Sequence, residues 1–143
     1  DAEGMRYEIE RYLAPGVTYS IVSNPAYRDS PKGAAIERIR KLVALGGAKT
    51  AILMRTKWSN GRATAEALEG MPLRRVRAIT PRPSMPPGAV VLAAAAGQID
   101  EDENRITVGG GQEDYAWFLF ERGYSGEPAF GWCRQPKTTR ARK

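Results

Sequence analysis

The chain has 143 residues, and 22 Lys or Arg against 16 Asp or Glu give it a formal net charge of +6. It contains no histidine and one cysteine, Cys133, which excludes a Ser-His-Asp triad, a Cys-His pair, a histidine-bound zinc ion and an intramolecular disulfide. A hydrophobic fraction of 42% is typical of a single globular domain, and no apolar run approaches the roughly 20 residues of a membrane span. The polar first residues predict no secretory or transit peptide, and the cysteine content agrees with a cytoplasmic protein.

The first half of the chain is predicted to form helix, strand, helix and strand in turn. A short helix is expected over residues 5–14, followed by a β-prone stretch at 17–22 that stops at Asn24-Pro25. Apolar residues then recur at helical spacing between Ser30-Pro31 and Gly46-Gly47, which are start and stop signals for a helix. The continuous apolar run at 50–54 indicates a strand that is buried on both faces.

The second half is predicted to hold a helix and two further strands around a long excursion. Ser59-Asn60 caps a helix that runs through Leu68, and residues 74–80 alternate as an imperfect strand. Residues 85–112 are predicted to form a long, partly flexible excursion from the sheet, with a small hairpin at 99–108. Its acidic block at 100–103 is interpreted as a solvated loop in preference to a metal site. The most strand-like stretch of the chain is 115–120. This order of elements predicts an α/β layered fold with a mainly parallel sheet.

An Asn-Pro-x-Tyr motif, Asn24 to Tyr27, follows the first strand of this sheet. Ligands of open α/β sheets bind just past the carboxyl ends of the strands. The amide oxygen of Asn24 and the backbone carbonyl of Pro25 could accept the two hydrogens of an exocyclic amine, while the ring of Tyr27 stacks on the attached base. Because Asn-Pro also starts ordinary turns, the motif alone leaves a plain turn as the alternative.

Basic residues predict a partner that carries phosphates. A sequence pI near 9.7 favours nucleic acid, and Arg55, Lys57 and Trp58 follow the second strand at the edge where ligands bind. Arg82 lies in the proline-rich exit from the third strand, and residues 133–143 form a basic tail. The alternatives are a solvated loop with one half-buried Trp, and a frayed, solvated terminus.

Four stretches, taken together, resemble the S-adenosylmethionine (SAM)-dependent DNA adenine-N6 methyltransferases of phages and prophages. The acceptor motif of that family is Asn-Pro-Pro-Tyr or a close variant, and Ala26 replaces its second proline here. The closing strand and turn are the most distinctive part of the resemblance. The matching stretches are residues 21–27, 50–55, 80–84 and 115–128.

The resemblance implies part of a Rossmann-like methyltransferase sheet, mainly parallel with an antiparallel last strand, and covers the acceptor-motif half of the family only. The whole chain is expected to form one α/β domain, in which residues 17–84 and 109–132 are family-like and residues 85–108 are an insertion. By the same resemblance the catalytic residues are Asn24, Pro25 and Tyr27 and the cofactor is SAM. The nucleic-acid contacts expected from position and side-chain type are Arg55, Lys57, Trp58 and Arg82. No metal is implied.

The SAM-binding half of the family, with its glycine-rich turn, should precede the acceptor motif, but only 23 residues precede Asn24. The exposed sheet edge is therefore expected to be covered by a partner subunit or a homo-oligomer, unless the sequence is an incomplete record of a longer chain. The function predicted is methyl transfer to adenine in DNA, or the acceptor-base half of such an enzyme. The alternatives are a non-catalytic nucleic-acid-binding or interaction protein, and an enzyme that uses SAM differently at a subunit interface.

Overall fold

The structure, a computed structural model, describes residues 11, 13, 15–24, 34–84, 88–107, 111 and 113–134. The helix predicted at 5–14, the motif residues Pro25 and Tyr27, and the tail beyond Arg134 fall outside this part, apart from Arg11 and Leu13. In order along the chain the elements are β1 (Ser20–Ser23), α1 (Ala34–Leu45), β2 (Lys49–Arg55), α2 (Thr56–Ser59), α3 (Arg62–Glu69), β3 (Leu73–Thr80), α4 (Gly88–Ala95), β4 (Tyr115–Glu121) and β5 (Ala129–Arg134).

The strands form one five-stranded mixed sheet in the order β1-β2-β4-β3-β5. β1 pairs parallel with β2, and β5 pairs parallel with β3, whereas β4 lies antiparallel between β2 and β3. Four strands therefore point one way and β4 points the other. The α/β class and the mainly parallel sheet are confirmed, as is the antiparallel direction of the strand predicted at 115–120.

One part of the predicted topology is wrong, because the antiparallel strand is not the last. β5 follows it and pairs with the outer side of β3, from Arg75↔Ala129 to Thr80↔Arg134. The connection between β4 and β5 passes the amino end of β3, with a turn at Gly123 that requires a positive φ of 79°. The physical reason for the error is that β5 owes its conformation to pairing with a strand about 50 residues earlier, a contact that local pattern does not record.

The hydrophobic core lies on one face of the sheet, under α1 and the segment α2–α3. Ile52 and Met54 of β2 and Phe118 and Phe120 of β4 alternate inward and are at most 2% exposed. Ile39 of α1 is fully buried against them, with Leu42, Val43, Trp58 and Met71 packed around the cluster. These inward side chains fix the register of the central strands, since a slip of one residue would turn them all to the opposite face.

The glycine pair that was predicted to end α1 ties this helix to the first strand. Gly47 lies against Tyr19, and a Cβ at Gly47 would come within 2.7 Å of the Tyr19 carbonyl oxygen. That carbonyl accepts a hydrogen bond of 3.0 Å from the Ala48 amide, while the Tyr19 hydroxyl donates to the Leu45 carbonyl at the end of α1. The close approach of the two segments therefore requires glycine at position 47.

The segment predicted as a partly flexible excursion, residues 85–112, contains a helix that was not predicted and lacks most of the hairpin that was. It begins with α4, which the sequence analysis did not predict. The hairpin expected at 99–108 is reduced to a single bridge between Ile99 and Arg105. The Asp100 carboxylate accepts backbone hydrogen bonds of 3.0 Å from Asp102 and 2.8 Å from Asn104. The acidic block is thus a solvated turn, held by its own first residue. In the part of the chain that the structure describes, every helix is too short or too polar to span a bilayer.

Candidate functional site

The candidate site lies at the edge of the sheet where the four parallel strands end, called here the carboxyl edge. Asn24 follows β1, Arg55 ends β2, Arg82 follows β3 by two residues and Arg134 ends β5. The antiparallel strand β4 begins at the same edge, so Glu113 and Asp114, which precede Tyr115, meet the ends of the parallel strands. Ligands of open α/β sheets bind at this edge.

Glu113 joins two of the predicted nucleic-acid contacts. One oxygen of its carboxylate, Oε1, lies 2.9 Å from Lys57 Nζ and 3.5 Å from Arg55 Nη1. The hydrogen bond from Lys57, followed by the charge of Arg55, lowers the pKa of Glu113. A side-chain hydrogen bond with Tyr115, followed by the charge of Glu113, raises the pKa of Arg55. Both shifts favour the charged forms of Glu113 and Arg55.

Asp114 holds the third predicted contact. Arg82 donates from Nε to Asp114 Oδ1 at 2.6 Å and from Nη2 to Asp114 Oδ2 at 3.4 Å, a two-point contact. The Asp114 carbonyl accepts hydrogen bonds from the backbone and the hydroxyl of Thr56, at 2.9 and 3.0 Å. A side chain at Gly111 would collide with the carbonyl of Pro83, so glycine lets the approach to β4 lie against the exit from β3. The residues of this edge cluster are Arg55, Lys57, Arg82, Glu113 and Asp114.

Trp58 occupies a different environment from the cations beside it. It belongs to the single turn α2, is half-buried and packs against the hydrophobic core. Trp58 is half-buried in a helix and not in a solvated loop, and its contact with nucleic acid stays a prediction. Part of the Trp58 ring packs α2 against the sheet, so less of the ring is available to stack on a base than in an exposed tryptophan.

Asn24 lies at the carboxyl edge with its side chain exposed. It directly follows Ser23, which is paired with Ile52, three residues before Arg55. Asn24 thus follows β1, the strand next to β2, which ends at Arg55 and is followed by Lys57 in α2. The two other motif residues, Pro25 and Tyr27, lie outside the described part of the chain.

The sequence analysis missed the two carboxylates of the edge cluster. Glu113 lies 56 residues from Lys57, and Asp114 lies 32 residues from Arg82, so no local spacing connects them. The sequence signal that could have indicated them is their position, as two acidic residues just before the most strand-like stretch at 115–120. An antiparallel strand must begin where its parallel neighbours end, which places those acids beside the cations.

We tested whether the described residues fit SAM, the cofactor that the resemblance implies. Two pockets, of about 290 and 580 Å³, open at the amino ends of the strands around Lys49 and Arg122. A third, of about 460 Å³, lies on the sheet across β1, β2, β4 and β3. None of these three is lined by Asn24, and no glycine-rich turn leads from a strand into a helix within the described ranges. The described residues do not by themselves fit SAM beside Asn24.

The described residues hold no group of three or more His, Cys, Asp or Glu side chains that could bind a metal ion. Comparison of the chain with protein-family models, curated proteins and solved structures gives no match.

Proposed function

We propose that this chain is the acceptor-base half of a SAM-dependent DNA adenine-N6 methyltransferase. The observation that carries the proposal is the position of Asn24 just past the carboxyl end of β1, next to β2, which ends at Arg55 and is followed by Lys57. An amide that binds a base and cations that bind the phosphates beside it are thus expected at one edge of the sheet.

In this proposal the chain holds and orients the target base. The Asn24 amide oxygen and the Pro25 carbonyl accept the two hydrogens of the adenine amine, and the Tyr27 ring stacks on the base. Hydrogen bonds in these directions draw the nitrogen lone pair out of conjugation with the ring, which makes the amine a better nucleophile. SAM would supply the methyl group, and residues other than the described ones would hold it.

Arg55, Lys57 and Arg82 would hold the DNA backbone. Their side chains are 38%, 67% and 59% exposed even when paired with carboxylates. Exposed ion pairs contribute only about 0–1 kcal/mol each, so a phosphate can replace a carboxylate at little cost. The edge cluster therefore suits a ligand that brings several anionic groups at once.

A second candidate function is non-catalytic binding of nucleic acid. It is favoured by the observation that none of the three described pockets is lined by Asn24. This candidate predicts salt-dependent binding of DNA or RNA that SAM does not change.

The test compares two single-stranded oligonucleotides, one of adenine and one of purine, which lacks the 6-amine. We expect the chain to prefer the adenine strand by about 30-fold, the equivalent of two net hydrogen bonds of about 1 kcal/mol each, and Asn24→Ala to reduce the preference to about 5-fold while binding the purine strand unchanged. Asn104→Ala, another exposed asparagine, is the matched control. Affinity is measured by fluorescence anisotropy.

Calorimetric titration with SAM and with its stable analogue sinefungin accompanies this test. Saturable cofactor binding would show that the chain holds SAM itself, whereas binding of nucleic acid without cofactor binding leaves the acceptor-base half and the second candidate, which the preference for adenine separates. An Asn24→Ala chain that prefers adenine as strongly as the wild type contradicts the acceptor role.

A further inference from the structure

The outermost strand of the sheet, β5, carries two exposed aromatic rings. Phe130 and Trp132 are 64% and 60% exposed, and their ring centroids lie 5.4 Å apart at an interplanar angle of 83°. Within the described ranges β5 pairs only with β3, so its other side is an open edge. Two large rings in this position are the most exposed aromatic surface that the structure describes.

The two rings lie on the same face of the sheet as the hydrophobic core, beyond the part of that face that the helices cover. Phe130 is in register with Val76, which in turn pairs with the buried Phe118. Trp132 stands in the same way beside Ala78. Exposure therefore rises from the centre of the sheet to its edge, and the rings form the uncovered end of an otherwise packed face.

One arginine lies on the same face of β5 as the two rings, and another lies on the opposite face. Arg134 lies on the same face as Trp132, because strand side chains alternate, and it is in register with Thr80, two residues before Arg82 of the edge cluster. Below the strand, the guanidinium of Arg77 lies over Gly131, where a Cβ would come within 2.8 Å of Nη1. β5 itself carries no acidic residue.

We propose that Phe130, Trp132 and Arg134, together called the aromatic platform, bind unpaired nucleotides next to the phosphates held by the edge cluster. Successive residues on one strand face are about 6.6 Å apart, and two perpendicular rings form a corner that can take a base face-on against one ring and edge-on against the other. Aromatic rings with neighbouring arginines are the usual means of holding single-stranded nucleic acid. The proposal rests on the nucleic-acid part of the proposed function.

The chemistry of β5 favours nucleotides over an apolar protein partner. Its six residues are Ala, Phe, Gly, Trp, Cys and Arg, with no aliphatic side chain larger than alanine. The flanking charges are cationic, and the chain as a whole carries +6. The platform also continues toward the edge cluster through Arg134 and Thr80, so one strand of nucleic acid could contact both.

The test measures binding of the full chain to an oligothymidylate of about 10 nucleotides by fluorescence anisotropy at several salt concentrations. Trp132→Leu and Phe130→Leu should each weaken binding by about 5- to 100-fold without changing the salt dependence, since stacking releases no counterions. Trp132→Phe should retain most of the affinity. Arg134→Gln should instead lower the slope of log K against log salt by about 0.7. Leu92→Ala, a change at a residue that is 73% exposed on α4, is the control for loss of exposed apolar surface.

Three results would overturn the platform. Trp132→Leu could bind like the wild type, Leu92→Ala could weaken binding equally, or sedimentation could show that the wild type dimerises through Phe130 and Trp132. The last result would make a second copy of the chain the occupant.

The failure of the platform can be told apart from the failure of the acceptor role. Unchanged binding by the β5 variants, together with a preference for adenine that depends on Asn24, removes the platform alone. Binding that depends on Trp132 without any preference for adenine removes the acceptor role alone. A wild type that binds no oligonucleotide contradicts both.

Discussion

Lys57 and Arg55 share one carboxylate oxygen of Glu113, and Arg82 is held at two points by Asp114. In the proposed complex with nucleic acid, phosphates would compete with these carboxylates for the same cations. The carboxylates keep three cations close together at the carboxyl edge, where the cations would otherwise repel one another. The same carboxylates must be displaced, or must share their partners, when a polyanion binds.

Replacing Glu113 should therefore strengthen DNA binding. In Glu113→Gln, Lys57 and Arg55 lose their anionic partner and become available to phosphates, so the affinity should rise. The slope of log K against log salt should become steeper by about 1 to 2 for duplex DNA, since each new phosphate contact contributes about 0.9 to it. Anisotropy titrations at several salt concentrations measure both quantities. Glu101→Gln makes the same change of net charge in the acidic turn, and an equal response in that variant would show that only net charge matters.

The lowered pKa of Glu113 also predicts how the stability of the fold depends on pH. The pKa of this carboxyl is lower in the folded chain than its ordinary value of about 4.3, so its ion pairs stabilise the fold fully above that value. The contribution is lost as the pH falls through the lowered pKa. The difference in Tm between the wild type and Glu113→Gln should be constant between about pH 5 and 7 and shrink below about pH 4. A difference that stays constant to low pH would show that Glu113 does not stabilise the fold through its charge.

At the scale of elements, the strands and helices that form the core could be predicted from local pattern. The buried run around Ile52 and the alternation around Phe118 predicted β2 and β4, and the glycine pair after Leu45 predicted the end of α1. α1 and β4 each bury one face, so the sequence carries the matching period, whereas β2 is buried at three consecutive residues, Ile52 to Met54, and shows as a continuous apolar run. The imperfect alternation at 74–80 belongs to β3, whose register with β4 shifts between Leu73 and Arg75.

The elements that were missed have no such buried face. α4 is apolar on all sides and contains no buried residue, so it shows no helical period. β5 is exposed along nearly its whole length and depends on pairing with β3. The cations of the edge cluster could be predicted from their position after a strand, whereas their carboxylate partners could not. Those contacts exist only because β4 runs antiparallel to its neighbours.

At the scale of the whole molecule, β1 ends the sheet and leaves an edge open. It has four residues and, within the described part of the chain, pairs with β2 alone. Val22 at its centre is 71% exposed and shares the groove of about 460 Å³ with Ala51 and Leu119. An apolar residue on a short edge that no described strand covers fits a place where a further strand is added, from another segment or another chain.

We expect this edge to mediate self-association, which Val22→Lys should prevent. A strand added to β1 would bring other side chains over Val22, and a lysine there would have to be buried beside Lys49, which lines the same groove. Sedimentation velocity should show a sedimentation coefficient that rises with concentration for the wild type and stays at the monomer value for Val22→Lys. Val91→Lys, at a residue that is 43% exposed on α4, controls for the added charge. Association of Val22→Lys equal to that of the wild type would exclude the β1 edge as the interface, and a wild type that remains monomeric would leave the edge to a different polypeptide.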